Sequence, residues 1–185
     1  MIEILQRPAV RRQVAPFSVE SYHKLRDLGL VSVKTELLNG VIVRKMTKSP
    51  LHTLLVHRLF DRLAVDLASD CQLRKEDPLT LATSEPEPDI AIVLGDIETY
   101  RDHHPTTAEL AVEIAVSSVE VDRAKADLYA GAGVSTYWLV LVDDRTVEVY
   151  SQPEPSGYLN METRGPGQTL ETWYGAPIPL DALFA

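Results

Sequence analysis

A single acidic residue in the middle of an apolar strand constrains the fold of this chain most. Residues 109–116 are mostly apolar and predict a central β-strand, yet Glu113 interrupts them. Because side chains alternate along a strand, Glu113 shares its face with Ala111 and Ala115, while the other face is aliphatic. A carboxylate in such a strand is costly unless it is paired, protonated or bound to a metal. The segment therefore predicts a sheet with a charged site on one of its faces.

A second carboxylate, Asp89, begins the preceding predicted strand, residues 89–94. It directly follows the stiff, proline-rich residues 85–88, whose prolines restrict how the backbone enters the strand. Two carboxylates on neighbouring strands are the minimum for holding a hard divalent cation such as Mg²⁺. Taken alone, Asp89 could equally be a simple strand entry, and Glu113 a core residue with an ion-pair partner.

A helix predicted at residues 117–130 carries the third charged group. Its start is marked by a capping box, Ser117 with Glu120. Lys125 lies three residues after Asp122, so both are on one helical face. That face could equally be a solvated helix edge if it is considered alone. Beside two carboxylates, Lys125 supplies the cation that they require.

The remaining pattern predicts one α/β (α+β) domain, residues 1–185, in which helices flank a mixed β-sheet. Residues 1–15 are expected to form an irregular arm. The other predicted elements are a helix from Ser18 to Gly29, a hairpin at residues 34–45 with an Asn39-Gly40 turn, a helix from Ser49-Pro50 to about Ala68, strands at residues 72–76, 136–142 and 147–150, and a final strand pair at residues 158–162 and 169–172.

Composition sets limits on location and partners. The chain has 185 residues, of which 45% are hydrophobic, and no apolar run approaches the roughly 20 residues of a membrane span. Cys71 is the only cysteine, so no internal disulfide can form, and a reducing cytoplasm is expected. Eighteen basic and 27 acidic residues give a net charge of −9, which disfavours a general nucleic-acid-binding surface. A nuclease whose acidic residues bind metal is still compatible with this charge.

The chain contains a series of short motifs, which are in order Glu36-Leu37-Leu38-Asn39-Gly40, His52, Pro86-Glu87-Pro88-Asp89-Ile90, Glu113-Ile114-Ala115, Asp122-Arg123-Ala124-Lys125, Tyr129, Gly133-Val134 and Tyr137-Trp138. In the order and spacing of these motifs, residues 17–175 resemble the Uma-two family, restriction-endonuclease-like proteins within the PD-(D/E)xK nuclease superfamily. The resemblance implies a restriction-endonuclease-like αβββαβ core with a Mg²⁺- or Mn²⁺-type site.

Carried over residue by residue, the resemblance implies that Asp89 and Glu113 are metal ligands and that Lys125 is the catalytic lysine. The wider superfamily places its lysine two residues after the glutamate, where this chain has Ala115. The resemblance implies that Lys125 replaces it from the following helix. A long, flexible side chain on an adjacent helix can bring its ammonium to the same point.

The resemblance gives Glu36 and His52 accessory roles. Glu36, just before the hairpin turn, would be an accessory acid that orients a water or holds a second metal; a strand-edge charge is an equal alternative. His52 would lie at the edge of the site as a phosphate contact or proton carrier, and a surface or packing histidine is an equal alternative.

Three functions follow from this pattern. The first is a Mg²⁺- or Mn²⁺-dependent endonuclease that hydrolyses DNA phosphodiester bonds. The second is a catalytically silent nucleic-acid-binding or regulatory module that retains the fold, and the third is a structural homodimer with an internally paired acidic cluster. A homodimer is expected in any case, because Tyr137, Trp138 and Tyr150 could form an exposed aromatic patch and two-fold pairs are the commonest oligomers.

Overall fold

The computed structural model describes residues 3–185, apart from the side chains of Glu3 and Leu5. The helices are α1 (Pro8–Arg11), α2 (Val19–Asp27), α3 (Pro50–Leu63), α4 (Val119–Gly131) and α5 (Leu180–Leu183), with 3₁₀ turns at Glu3–Gln6 and Ile97–Tyr100. The strands are β1 (Thr35–Leu38), β2 (Val41–Arg44), β3 (Cys71–Lys75), β4 (Ile90–Leu94), β5 (Leu110–Ala115), β6 (Thr136–Leu141), β7 (Thr146–Glu154), β8 (Gly157–Arg164), β9 (Thr169–Leu170) and β10 (Ile178–Pro179).

A six-stranded mixed sheet, in the order β3-β4-β5-β6-β7-β8, organises the fold. Strands β5 and β6 are parallel and α4 connects them, whereas every other neighbouring pair in this sheet is antiparallel. All six residues of the central strand β5 are buried. The predicted fold class, a mixed sheet flanked by helices, is confirmed.

The two faces of the sheet contact different helices. On one face, Leu110 and Ile114 of β5 belong to a core with Leu55 and Leu59 of α3. On the other face, Ala111 and Ala115 belong to a second core that includes Ala126, Tyr129 and Tyr137. The predicted alternation of β5 is therefore confirmed, and α4 covers the face that carries Glu113.

Most of the local signals are confirmed in the structure. The Ser18 and Ser49 hydroxyls accept backbone N–H hydrogen bonds at the starts of α2 and α3. Gly29 has a φ of +67°, as a glycine just after a helix does. Asn39 and Gly40 form a two-residue turn between β1 and β2, whose register pairs Leu38 with Val41.

Other element boundaries differ from the prediction. The second helix, predicted to continue to about Ala68, ends at Leu63. The predicted pairing of residues 158–162 with residues 169–172 is wrong: β8 pairs with β7 in the large sheet, and β9 pairs with β10. The cause is the longer extent of β7, which reaches Glu154 and continues through a tight turn into β8.

The predicted irregular arm at residues 1–15 contains the 3₁₀ turn Glu3–Gln6 and the helix α1 within its described part. Pro8 is the first residue of α1, a position where its missing N–H is not needed. Met1 and Ile2 lie outside the described residues. Within residues 3–185, no helix is long and apolar enough to cross a membrane.

The predicted aromatic patch is also wrong, because Tyr137 and Trp138 are buried in the core, at 0% and 1% exposure. The rings of Tyr137 and Tyr150 stack at a centroid distance of 5.5 Å. Tyr137 and Trp138 therefore stabilise the sheet and cannot form an intermolecular surface, so the homodimer remains a proposal without that support.

Candidate active site

Helix α4 turns its charged face towards the sheet and exposes part of its apolar surface. Asp122, Lys125 and Tyr129 are buried, whereas Val121 and Ala124 are exposed. A surface helix normally has the opposite arrangement. The inversion is possible because Glu113 lies in the sheet face beneath the helix and requires polar partners. The solvated-edge interpretation of this helical face is therefore wrong.

The residue just before α4 makes a hydrogen bond to the same charged face of the helix. The predicted capping box of Ser117 and Glu120 is absent: the residue before the helix is Ser118, and its side chain makes no cap hydrogen bond. Instead, the Ser118 hydroxyl donates to the carboxylate of Asp122. A buried carboxylate needs donors more than an exposed helix end does, because water can satisfy the helix end.

Lys125 lies among three carboxylates. Its Nζ is 2.9 Å from Glu113 Oε1, 3.0 Å from Glu36 Oε2 and 3.5 Å from Asp122 Oδ1. The hydroxyl of Tyr129 donates a second hydrogen bond to Glu113 Oε1, at 2.9 Å. Side chains from β1, β5 and α4 thus meet at one buried ammonium.

The hairpin brings Glu36 to this group although it is remote in sequence. Glu36 lies in β1, and its Oε1 accepts the backbone N–H of Glu87 at 3.4 Å. The residue next to it, Leu37, bonds through its carbonyl to the N–H of Glu85 at 2.7 Å. The proline-rich segment before Asp89 therefore holds the hairpin against the sheet.

Asp89 lies next to this cluster because of the strand register. Ile90 pairs with Val112, so one more step along the antiparallel pair places Asp89 opposite Glu113. Asp89 Oδ2 accepts the backbone N–H of Ile114 at 2.8 Å and lies 3.0 Å from His52 Nε2. His52 Nδ1 is buried and has no hydrogen-bond partner among residues 3–185.

All five residues singled out in the sequence line one cavity of about 160 Å³, together with Asp122. They form two directly bonded groups within it. Lys125, Glu113 and Glu36 make one group, and Asp89 with His52 makes the other. The structure brings these side chains together, and their chemical roles remain predictions.

The cavity carries more negative than positive charge. Burial raises the pKa of Glu113 well above its ordinary value; Lys125 opposes this rise, and Asp122, Asp89 and Glu36 add to it. Burial also raises the pKa of Asp122, against the pull of Lys125. Burial by itself would lower the pKa of Lys125, but Glu113, Glu36 and Asp122 outweigh that effect and raise it. Four buried carboxylates therefore face one buried permanent cation, while Arg44, Lys45 and Lys48 line the cavity from less buried positions.

The sequence does not assign a role to two residues of this cluster, Asp122 and Tyr129. Spacings of three and four residues put both on the same helical face as Lys125. What the sequence could not show is that this face turns inwards, since that depends on the sheet beneath α4.

The model of the Uma2 (Uma-two) family, described as "Putative restriction endonuclease", matches residues 19–176. This chain belongs to the Uma2 family. A similar fold is found in the crystal structure of a "putative nuclease belonging to DUF820" from Anabaena variabilis, with a TM-score of 0.72 and 17% sequence identity. The match covers 91% of this Uma2 chain and 98% of the Anabaena chain. At that identity the likeness concerns the fold alone. The comparison with curated proteins gives no match.

Proposed function

We propose that this Uma2 protein is a cytoplasmic, Mg²⁺- or Mn²⁺-dependent endonuclease that hydrolyses DNA phosphodiester bonds. The observation that carries the proposal is the cavity in which four carboxylates face a single buried ammonium. An excess of buried negative charge is costly unless a cation neutralises it. The description of the Uma2 family as a restriction endonuclease supports the same reaction class.

The donor atoms of the cavity fit a hard divalent ion. Among residues 3–185, no three His, Cys, Asp or Glu side chains are grouped so that they could hold a metal ion by themselves. Mg²⁺ does not need such a group, because it is usually held by one or two carboxylates, waters and substrate phosphates. The described residues donate no hydrogen bond to Asp89 Oδ1 or Glu113 Oε2. These two oxygens are the proposed metal ligands.

The proposed reaction is hydrolysis of a phosphodiester. The oxygen of a water bonds to phosphorus, one phosphorus–oxygen ester bond breaks, and the leaving oxygen gains a proton, which yields a phosphomonoester and a free hydroxyl. A divalent ion bound there would polarise the phosphate and lower the pKa of the attacking water. The ammonium of Lys125 supplies a fixed positive charge for the negative charge that builds up on the phosphate.

Three other side chains have positioning roles in this mechanism. Glu36 and Tyr129 fix the ammonium of Lys125 and the carboxylate of Glu113, which limits their movement before the substrate binds. His52 holds Asp89 through Oδ2 and so leaves Oδ1 directed away from the histidine contact. A site whose charges are already in place needs little reorganisation during the reaction.

Plasmid cleavage tests the proposal. Purified protein should cleave plasmid DNA, in its supercoiled form or after denaturation to single strands, with Mg²⁺ or Mn²⁺ and not with EDTA. Asp89→Asn should abolish cleavage, because it removes a ligand charge and keeps the size of the side chain. Asp61→Asn, at an exposed position on α3, is the matched control and should cleave like wild type.

Two other outcomes would contradict the proposal. Salt-sensitive DNA binding without cleavage, unchanged by EDTA, would identify the catalytically silent module. If the protein neither binds nor cleaves DNA, the structural homodimer is the function that remains.

A further inference from the structure

The reacting groups lie below the rim of the cavity. The side chains of Glu36, Asp89, Glu113, Asp122 and Lys125 are only 5–10% exposed. A phosphodiester must therefore come down to this depth to reach them.

Two segments contribute to the rim. One is the lip, residues 43–49, which ends β2 and leads into α3, and the other is the start of α4, from Ser117 to Val121. A flexible single strand can bend to bring one phosphate down to this depth more easily than duplex DNA can, because the duplex is stiff over about 150 base pairs.

The lip has few positive charges that are free to bind phosphate groups. Lys45 pairs with Glu87, and Lys48 pairs with Glu76 at 2.5 Å. Arg44 is exposed, lines the cavity and makes no ion pair within the described chain. A planar guanidinium binds phosphate through two parallel hydrogen bonds. Duplex-binding proteins commonly make about 6–10 phosphate contacts, whereas the lip offers one unpaired guanidinium.

Apolar side chains stand at the same mouth. Met46 on the lip is 62% exposed and Val121 on α4 is 45% exposed, and both line the cavity. A methionine thioether makes favourable contacts with aromatic rings, and proteins that bind single strands contact the faces of unpaired bases. In a duplex those faces are stacked on neighbouring bases and are not available.

We propose that the substrate is a single-stranded stretch of nucleic acid, such as an unpaired end, flap or loop. One phosphodiester enters the cavity, Arg44 binds a neighbouring phosphate, and the base between them lies against Met46 and Val121. This inference rests on the proposed function for the reaction itself, and it specifies which form of nucleic acid reaches the site.

Two oligonucleotide forms of one sequence, single-stranded and duplex, test the inference with full-length protein and Mg²⁺. The single strand should be cleaved about 10-fold faster or more, since only it can supply unstacked bases. Arg44→Ala should raise KM for the single strand about 10-fold, because it removes the guanidinium that binds the neighbouring phosphate. Lys24→Ala, an exposed lysine on α2, is the control and should match wild type. Equal rates on duplex and single strand, or equal effects of both variants, would overturn the inference.

A binding measurement separates this inference from the proposed function. Fluorescence anisotropy with Ca²⁺ should show the labelled single strand bound by wild-type protein and by Lys24→Ala, and bound more weakly by Arg44→Ala. Binding of this kind without hydrolysis of any diester would refute the nuclease proposal and support the single-strand site. Duplex DNA that competes as well as the unlabelled single strand would refute the single-strand site, whether or not the protein is a nuclease.

Discussion

At the scale of single residues, the account depends on how one ammonium holds three buried carboxylates. Lys125 contacts Glu113 of β5, Glu36 of β1 and Asp122, which lies one turn earlier on α4. When one member of such a buried group is removed, the others remain as uncompensated charges. Lys125 therefore has a structural role as well as the proposed catalytic one, and the two can be measured separately.

Lys125→Met should lower the free energy of unfolding by about 3–5 kcal/mol at neutral pH, because the nonpolar replacement leaves buried carboxylates unpaired. Urea denaturation would measure this loss, which should be smaller at pH 5, where the carboxylates can take up protons. Activity should fall by about 10²–10³-fold under conditions where the variant is still folded. Lys24→Met, on the surface of α2, should change neither quantity. Wild-type stability in Lys125→Met would contradict the buried ion-pair cluster.

The proton on Glu113 should compete with the metal. Burial is the largest of the effects that raise the folded-state pKa of Glu113. The stability that protonation of Glu113 confers is therefore present below the ordinary glutamate pKa, and it is lost as the pH rises through the raised pKa. A metal ligand must be deprotonated, so Mg²⁺ should raise the melting temperature more at pH 8 than at pH 6. Glu113→Gln should remove most of this Mg²⁺ effect at both pH values. Differential scanning fluorimetry with and without Mg²⁺ is sufficient, and an equal Mg²⁺ effect at both pH values would be the contrary result.

At the scale of elements, local signals could be predicted from the sequence and packing partners could not. The Asn39-Gly40 turn and the Ser18 and Ser49 caps depend on a few adjacent residues, so their physics is contained in the local sequence. The orientation of α4 and the pairing of β8 depend on residues far away along the chain. The burial of Lys125 therefore could not be predicted from the sequence, although its position beside Glu113 could.

The inward face of α4 can be tested with two tyrosines that each donate one hydrogen bond. Tyr129 donates to Glu113 at 2.9 Å, and Tyr158 donates to the Val134 carbonyl at 2.8 Å. Both Tyr129→Phe and Tyr158→Phe should lower the free energy of unfolding by about 1–3 kcal/mol, because each removes one hydrogen bond within the fold. Only Tyr129→Phe should also alter Mg²⁺ affinity, measured by calorimetry. The inward face would lose its proposed link to the metal if both variants bound Mg²⁺ like wild type.

At the scale of the whole molecule, the sheet places the site and ends in the edge strands β3 and β8. The central pair β5 and β6 carries the buried glutamate, and β8 ends the sheet on one side. Leu159 and Met161 of β8 are exposed. An edge strand with exposed apolar side chains favours association with another chain, and a two-fold pair is the commonest closed form.

The proposed homodimer would use this edge, since Tyr137 and Trp138 are in the core. Light scattering should give twice the monomer mass for wild-type protein. Leu159→Glu combined with Met161→Glu should give the monomer mass, because two charges on each partner would be desolvated in the interface. Glu162→Gln, also on β8, is the control and should remain dimeric. A monomeric wild-type protein at working concentration would refute the proposal.

The net charge of −9 counts against a general nucleic-acid-binding surface, and the fold explains where part of this charge lies. Part of it lies in the cavity, where Glu36, Asp89, Glu113 and Asp122 outnumber Lys125. A metal ion would offset that excess and make the site attractive to phosphate. The central claim is therefore that Asp89 and Glu113 share one divalent ion.

Anomalous diffraction from a crystal soaked in Mn²⁺ tests that claim most directly. One strong anomalous peak is expected between Asp89 Oδ1 and Glu113 Oε2, at about 2.0–2.3 Å from each oxygen. The ammonium of Lys125 should keep its contact with Glu113 Oε1. A cavity without a peak at saturating Mn²⁺, or a peak bound by other side chains, would contradict the account.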